Sequence, residues 1–323
     1  SLHDALPICF VPDRYLSYPM DYASPTFKRM YGMHKGFDIV ANFSAHKHVR
    51  SEKDIYSVEA LIRNNVINAE GLMELLSEYP PESYFCVSTD KAANPVNIMG
   101  ASKRIMEDLI FSYSDRFPVR TARFANVAFS NGSLPDGFLK RLGKRQPLSA
   151  PEDVRRYFVS PEESGQICML AAILGRNREI FFPKLDEKKM MTFDAIALSL
   201  LKEKGYEPVF CASDEEAIEY AKNMDTGSHG YPVHFSSSDT SGEKSFEEFY
   251  TDNESVDMGR YKALGVITDK AAPPGDKVHE LINSLEAAFD KDGASKEDIV
   301  RILSGYLPNF EHIETGRSLD EKM

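Results

Sequence analysis

Cysteine is scarce in this chain, and its spacing is uninformative. The four residues Cys9, Cys86, Cys168 and Cys211 form no paired motif in 323 residues, which excludes a disulfide scaffold. Cys86 and Cys168 lie in apolar runs and read as small core residues, so a reduced, cytoplasmic setting is expected. Long apolar runs are also missing. None approaches the roughly 20 residues that span a bilayer, so no membrane partner is expected for the visible chain. Positive charge is in deficit. A net charge of -12 leaves no global field to release counterions, which argues against a nucleic-acid partner. Finally, neither Gly-x-Gly-x-x-Gly nor Gly-x-x-Gly-x-x-Gly occurs before Phe37, so those residues hold no phosphate-cradling turn.

What remains is an ordinary globular composition, long enough to bury one large or two modest cores. Strand and helix patterns alternate. Apolar runs at 37–43, 84–87 and 119–125 read as strands, with the first expected to be buried like an inner parallel strand. The stretches 55–78 and 98–113 carry apolar residues at helical spacing. A short helix is expected after Ser24, from Pro25 to about Gly32. This alternation predicts an α/β fold built on a doubly wound parallel sheet. After Asn126, Gly, Pro and short helices interleave, which marks a smaller C-terminal lobe. Helices are expected at 161–174, 193–204, 215–224 (capped by Asp214) and 277–289. A strand is expected at 179–182, and the polar stretch 225–245 reads as a loop. Ser295 with Asp298 forms a capping-box pattern for a last helix.

The richest stretch runs from Val87 to Arg104, VSTDKAANPVNIMGASKR. It leaves the apolar strand Tyr84–Val87 and sets Ser88, Thr89, Asp90 and Lys91 side by side. It then turns through Asn94-Pro95 and enters a helix. Positions 99 and 103 share a helical face. Hydroxyl, carboxyl and amine groups are thereby brought to the end of a parallel strand, where open α/β sheets place their ligands.

This run resembles the active-site segment of the extended short-chain dehydrogenase/reductases. It is most similar to the UDP-N-acetylglucosamine 4,6-dehydratases of polysaccharide biosynthesis. Three further stretches carry the resemblance: Ser44-Ala45-His46-Lys47-His48-Val49, Arg123-Phe124-Ala125-Asn126-Val127, and Ser241-Gly242-Glu243-Lys244 with Glu247-Glu248. The likeness spans roughly residues 9 to 265. It implies a Rossmann-like domain that lacks its first βαβ unit, because the glycine-rich turn is missing. Residues 1–8 resemble a translated adaptor oligonucleotide and are set aside. The implied organisation is a truncated NAD-binding domain at 9–130, a substrate lobe at 131–268 and a C-terminal helical extension at 269–323.

The resemblance implies NAD as cofactor and a UDP-sugar as substrate. In such enzymes the sugar C4 is oxidised, a base takes the C5 proton, an acid protonates the departing C6 hydroxyl, and the hydride returns to C6. Asp90 is implied as the acid and Lys91 as the base. A free lysine titrates near 10.4, too high for a base at neutrality, so a second cation such as Lys103 is expected nearby. Lys103 is implied to hold the nicotinamide ribose. Met99 stands where most of the superfamily has tyrosine, and a thioether carries no exchangeable proton. Thr89 or an ordered water is then the expected proton relay. Asp21, Ala45, Lys47, Asn65 and Ser88 are implied around the cofactor, with Asn65 as backbone support. His48, Asn126, Arg156 and Glu243 are implied around the sugar nucleotide. His46 and His48 lack further donors, so no metal is expected. Helices 55–78 and 98–113 are the implied surfaces of a homo-oligomer. Two rivals stay open: a UDP-sugar 4-epimerase or reductase of the same fold, and a non-catalytic protein that binds NAD or a sugar nucleotide.

Overall fold

The computed structural model describes residues 15–47, 52–184, 190–225, 227–237, 247–291 and 293–313. The adaptor-like residues 1–8, His48 and Glu243 lie outside this set. The N-terminal half runs α1 (Pro25–Met33), β1 (Ile39–Asn42), α2 (Ile55–Ile62), α3 (Asn68–Glu78), β2 (Ser83–Thr89), α4 (Ile98–Ser112) and β3 (Val119–Phe124). Then come β4 (Asn126–Val127), α5 (Leu134–Gly143), β5 (Leu148–Pro151), β6 (Arg155–Arg156), β7 (Phe158–Val159), α6 (Pro161–Leu174) and β8 (Glu179–Pro183). The chain continues through β9 (Met191–Thr192), α7 (Phe193–Glu203), β10 (Glu207–Phe210), α8 (Asp214–Lys222) and β11 (Gly230–Ser236). It ends with β12 (Val256–Asp257), β13 (Leu264–Ile267), α9 (Gly275–Phe289) and α10 (Lys296–Tyr306).

The main sheet has the order β1-β2-β3-β8-β13-β12. Its first four strands are parallel, and β13 and β12 close it antiparallel. Helices α2, α3, α4, α9 and α10 share one apolar core on one face, while α6 packs on the other. The expected doubly wound α/β architecture is therefore present. A second parallel sheet, β10-β11-β5, has its own core with α5 and α7.

Several expectations need correction. The strand expected at 37–43 exists as β1, but it is an edge strand rather than a buried one. Ile39 is 54% and Phe43 60% exposed. The 55–78 helix is interrupted by a π-turn at Arg63–Ile67. The loop expected at 225–245 contains β11, because pairing with β10 and β5 overrides the local Gly/Ser signal. Pro232 disguised that strand, and it lies one residue before pairing with β5 begins at Val233. Ser213, not Asp214, caps α8, its side chain accepting from the Glu216 N–H. Nearly all of α4 is buried, and α9 of the same chain packs against it. It therefore leaves little open face for the self-association expected there.

Strand β3 reads Val-Arg-Thr-Ala-Arg-Phe and is buried throughout, so both arginines must find partners inside. Arg120 hydrogen-bonds Ser83 and the carbonyls of Ala172 and Gly175, which satisfies the C-terminal end of α6. Arg123 is fully buried. It donates to Glu107 at 2.7 and 2.9 Å, to Glu254 at 2.8 and 3.0 Å, and to the Phe249 carbonyl at 2.7 Å. Burial pushes the Glu254 carboxyl up, but its bonds and charge contact with Arg123, helped by Lys270, bring it down to about 2.

Removing Arg123 strands Glu107 and leaves Glu254 with Lys270 and Arg104 alone, so Arg123→Ala should cost about 3–5 kcal/mol by urea denaturation. A midpoint equal to that of the parent would refute the role given to this cluster. The depressed Glu254 pKa also fixes a pH window. Its stabilisation, about 3 kcal/mol at most, is complete above the ordinary carboxylate range and lost as pH falls through about 2. Glu254→Gln should therefore flatten the acid limb of a stability–pH curve.

Candidate active site

The C-terminal end of β2 delivers the residues singled out in the sequence. Its last residue, Thr89, is extended and accepts from the Lys91 N–H, opening a 3-10 turn at Asp90–Ala92. The Thr89 hydroxyl donates to Asp90 Oδ1 at 2.7 Å. Lys91 Nζ donates to the same carboxylate at 3.2 and 3.3 Å. Thr89, Asp90 and Lys91 are thus one hydrogen-bonded unit. The Lys91 ammonium is thereby paired with the carboxylate beside it in the sequence. Within the unit the exposures differ: the Asp90 side chain is 8% exposed and that of Lys91 is 25%.

Helix α4 is held against this turn from several sides. Asn97 caps it, accepting from the Gly100 N–H at 2.7 Å, and Glu52 accepts from the Met99 N–H at 2.8 Å. A Cβ at Gly100 would lie 2.7 Å from the Lys91 carbonyl oxygen, so only glycine permits this approach. The C-terminal tail reaches the same place. The Ile313 N–H donates to the Val96 carbonyl at 3.0 Å, and His312 lies 3.4 Å from Glu52.

Met99 is buried in the main core. Lys103 is buried too. Its ammonium donates to the Val87 carbonyl at 3.0 Å and lies 3.7 Å from the Met106 sulfur. No carboxylate pairs with it among the described residues. Burial lowers its pKa, against the opposing pull of Cys86 and Glu107. A cation buried beside one carbonyl retains donor capacity for further oxygen ligands.

Asn65 sits inside the π-turn between α2 and α3, a local defect frequent at functional sites. Its side chain accepts from the His46 N–H and donates to the His46 carbonyl, both at 2.9 Å, and donates to Ser102 Oγ at 3.0 Å. Ser102 in turn donates to the Met99 carbonyl. Asn65 therefore ties the Ala45–Lys47 segment to α4, as the sequence suggested. Lys47 is exposed and lies in the field of Asp136 at the start of α5. Two expected cofactor contacts are engaged elsewhere. Asp21 accepts from the Ala23 N–H in a tight turn before α1. Ser88 is buried and donates to Glu107 at 2.6 Å.

Asn126 lies in β4, just past the end of β3, and donates to Glu247 at 2.6 Å. Arg156 in β6 is buried, and among the described residues it donates to the Arg155 carbonyl at 2.9 Å. Glu247 also accepts from the Tyr157 N–H at 2.9 Å. Its neighbour Glu248 accepts from Asn94 in the turn after Lys91. Glu247 was not assigned a role from the sequence, although it sits in one of the stretches carrying the resemblance. Burial, then the charge of Asp90, raise its pKa to about 7, against the Tyr157 hydrogen bond, Lys91 and Arg156. Glu52, Glu107, Glu248 and Glu254 were missed as well. Glu107 meets its partners 16 and 19 residues away, and the other three reach across 47 residues or more, which spacing does not reveal.

Comparison with known proteins follows from this geometry. Residues 26–269 match the family described as polysaccharide biosynthesis protein. The probable polysaccharide biosynthesis protein EpsC of Bacillus subtilis is 30% identical over 183 residues, covering 55% of this chain and 30% of that protein. The capsular polysaccharide biosynthesis protein CapD of Staphylococcus aureus is 31% identical over 170 residues, covering 51% and 28%. The chain thus spans under a third of the length of these two relatives. An uncharacterized membrane protein of Methanocaldococcus jannaschii is 27% identical, over 82% of this chain and 74% of its own. No helix among the described residues is long and apolar enough to cross a membrane.

Solved structures agree on the fold. Pen from Bacillus thuringiensis matches with TM-score 0.62 at 17% identity, over 83% of this chain and 80% of that one. DesIV from Streptomyces venezuelae, a dTDP-glucose 4,6-dehydratase with NAD and TYD bound, matches with TM-score 0.53 at 18% identity, over 71% and 69%. The mainly parallel sheet is thus of the Rossmann type found in short-chain dehydrogenase/reductases. The match over most of its length establishes that the chain belongs to the polysaccharide biosynthesis protein family.

Proposed function

We propose that this chain carries the centre of a nucleotide-sugar 4,6-dehydratase, acting with NAD on UDP-N-acetylglucosamine or a close UDP-sugar. The observation that carries the reading is the Thr89–Asp90–Lys91 unit at the end of β2, placed beside a helix that buries Lys103 without a carboxylate. The residues present fit the nicotinamide end of the cofactor, because Lys103 has donors left for ribose hydroxyls. When bound, NAD would accept the hydride from the sugar C4 and return it to C6.

The rest falls to the chain. A proton moving from Lys91 Nζ to Asp90 across their 3.2 Å contact leaves an amine and a carboxylic acid with no change in total charge. The amine takes the C5 proton, made acidic by the C4 ketone. The acid protonates the C6 hydroxyl, which departs as water. Arg156, buried and with donors unused among the described residues, and Asn126 are the groups suited to the diphosphate. Thr89 donates its own proton to Asp90, so it is placed to orient the acid. Relay from C4 would require that bond to break. Met99, packed in the core, takes no part in proton transfer.

UDP-glucose 4-epimerases are the competing reading. The enzyme of Rickettsia bellii is 30% identical over 156 residues, 46% of this chain and 45% of its own. An epimerase has no use for an acid at C6 or a base at C5, which the Asp90–Lys91 pair supplies. Mass analysis of the product separates the two readings, because a dehydratase product is lighter by one water and an epimer is not.

Asp90→Asn and Lys91→Met should each lower dehydration by about 10²–10⁴-fold, the usual worth of a positioned acid or base. Unchanged turnover in either would end this assignment. Gly100→Ala should also depress turnover while leaving all the chemical groups in place, since the added methyl meets the Lys91 carbonyl. A crystal structure of that variant should show Lys91 displaced; an unmoved turn with full activity would contradict the packing argument.

A further inference from the structure

We propose that the C-terminal tail is a strap on the active site: His312 and Ile313 hold Glu52 and the Val96 carbonyl, and Glu52 is the positioning residue that fixes the first turn of α4, and with it Lys103, against Asp90 and Lys91. The inference rests on the dehydratase reading and deepens it, because it names what keeps the helix of that site in register. Glu52 is buried, 7% exposed. Both its oxygens are engaged: Oε1 accepts from the Met99 N–H at 2.8 Å, and Oε2 lies 3.4 Å from His312 Nε2. The Ile313 N–H donates to the Val96 carbonyl at 3.0 Å. The tail thus grips the start of α4 twice, directly at Val96 and through Glu52 at Met99, on either side of the Asn97 cap.

The tail is itself anchored. Phe310 is buried in the main core, and its N–H donates to the Leu307 carbonyl at 2.9 Å, just past α10. Its ring lies 6.1 Å from that of His312, whose side chain is 11% exposed. A carboxylate suits the post that Glu52 fills. The first N–H groups of a helix have no partner within it, and they form the positive end of its dipole. Asn97 answers the Gly100 N–H and Glu52 the Met99 N–H. Gly100 is also where α4 meets the Lys91 carbonyl too closely for any Cβ. Lys103 follows one turn after Met99, its ammonium on the Val87 carbonyl. A loosened first turn therefore disturbs two things at once, the backbone contact behind Lys91 and the height of the Lys103 amine. His312 meets Glu52 across 260 residues, so the tail is built into the geometry of a site formed much earlier in the chain.

The test uses single substitutions in the full chain and reads the resting protein and the reaction separately. In hydrogen exchange followed by NMR without substrate, Glu52→Ala should speed exchange of the Met99 amide about tenfold, the scale of one lost hydrogen bond. Glu52→Gln keeps a carbonyl oxygen for that N–H and should restore most of the protection. His312→Ala and Ile313→Pro, which removes the tail N–H, should each speed exchange at Met99 and Gly100 about threefold. Ile313→Ala keeps that N–H and should exchange like the parent. In turnover, kcat should fall about tenfold in Glu52→Ala and about threefold in Ile313→Pro, with KM for the UDP-sugar little changed and Glu52→Gln rescuing most of the loss. Parent-like exchange at Met99 and Gly100 in both tail variants would overturn the proposal, as would a parent-like kcat in variants whose Met99 amide is loosened. Faster exchange spread equally over α9 and the main sheet would also overturn it, since that marks a loss of global stability. If Glu52→Ala does not fold, the contrast between Ile313→Pro and Ile313→Ala decides alone. Absence of any dehydrated product from the parent would sink the dehydratase reading, and the exchange measurements would then decide the strap by themselves.

Discussion

The buried guanidinium of Arg123 is the constraint on which the site depends. It sits in a strand that has no water around it, so its charge has to be answered by the protein. Glu107 answers from α4 and Glu254 from the segment that follows residue 247. Glu107 also takes the hydroxyl of Ser88, one residue before Thr89. One charge cluster thereby joins the end of β2, the length of α4 and the segment 247–254. Asp90, Lys91 and Glu247 hang from those three supports. Neither carboxylate can leave without depriving the buried cation of one of its two counter-charges, so their relative positions are fixed by a penalty and not by close packing alone.

A second set of contacts fixes α4 along its axis. Asn97 and Glu52 satisfy two of its first N–H groups, and Gly100 lets the helix close on the Lys91 backbone. Asn65 reaches Ser102 from the far side and holds His46 by both backbone groups. A helix start of this kind has little freedom to slide. That is the property required of Lys103, whose ammonium has to stay at one height above the sheet. It also accounts for the thioether at Met99, which serves as core at a place wrapped on all sides.

Much of this was legible in the sequence. The order of strands and helices follows from apolar period, the Ser295–Asp298 capping box is present, and the grouping of Thr89, Asp90 and Lys91 follows from their adjacency at a strand end. Asn65 was read as support, and its side chain bonds the His46 backbone and Ser102. What stayed hidden has a common cause. Arg123 meets Glu254 across 131 residues, and Asn126 meets Glu247 across 121. Such pairs leave no trace in local spacing. The one available clue was the pair of arginines in the apolar run Val119–Phe124, which demands buried acids somewhere. Strand β11 was hidden differently, by a proline and a Gly/Ser-rich flank that parallel pairing overrides. Ser88 and Asp21 were assigned from motif position, yet the fold gives both side chains other partners.

The uneven exposure of the Asp90–Lys91 pair gives the site a direction. Lys91 is the more open member, at 25%, while Asp90 is backed by protein at 8%. A base that must reach a C–H bond has to project toward the ligand. An acid that must hold its proton until needed is better kept from water, because solvation favours its anion. On the dehydratase reading, substrate binding would cover Lys91 and remove the water that stabilises its charged form. The neutral pair would then gain relative to the ion pair at the moment the sugar arrives.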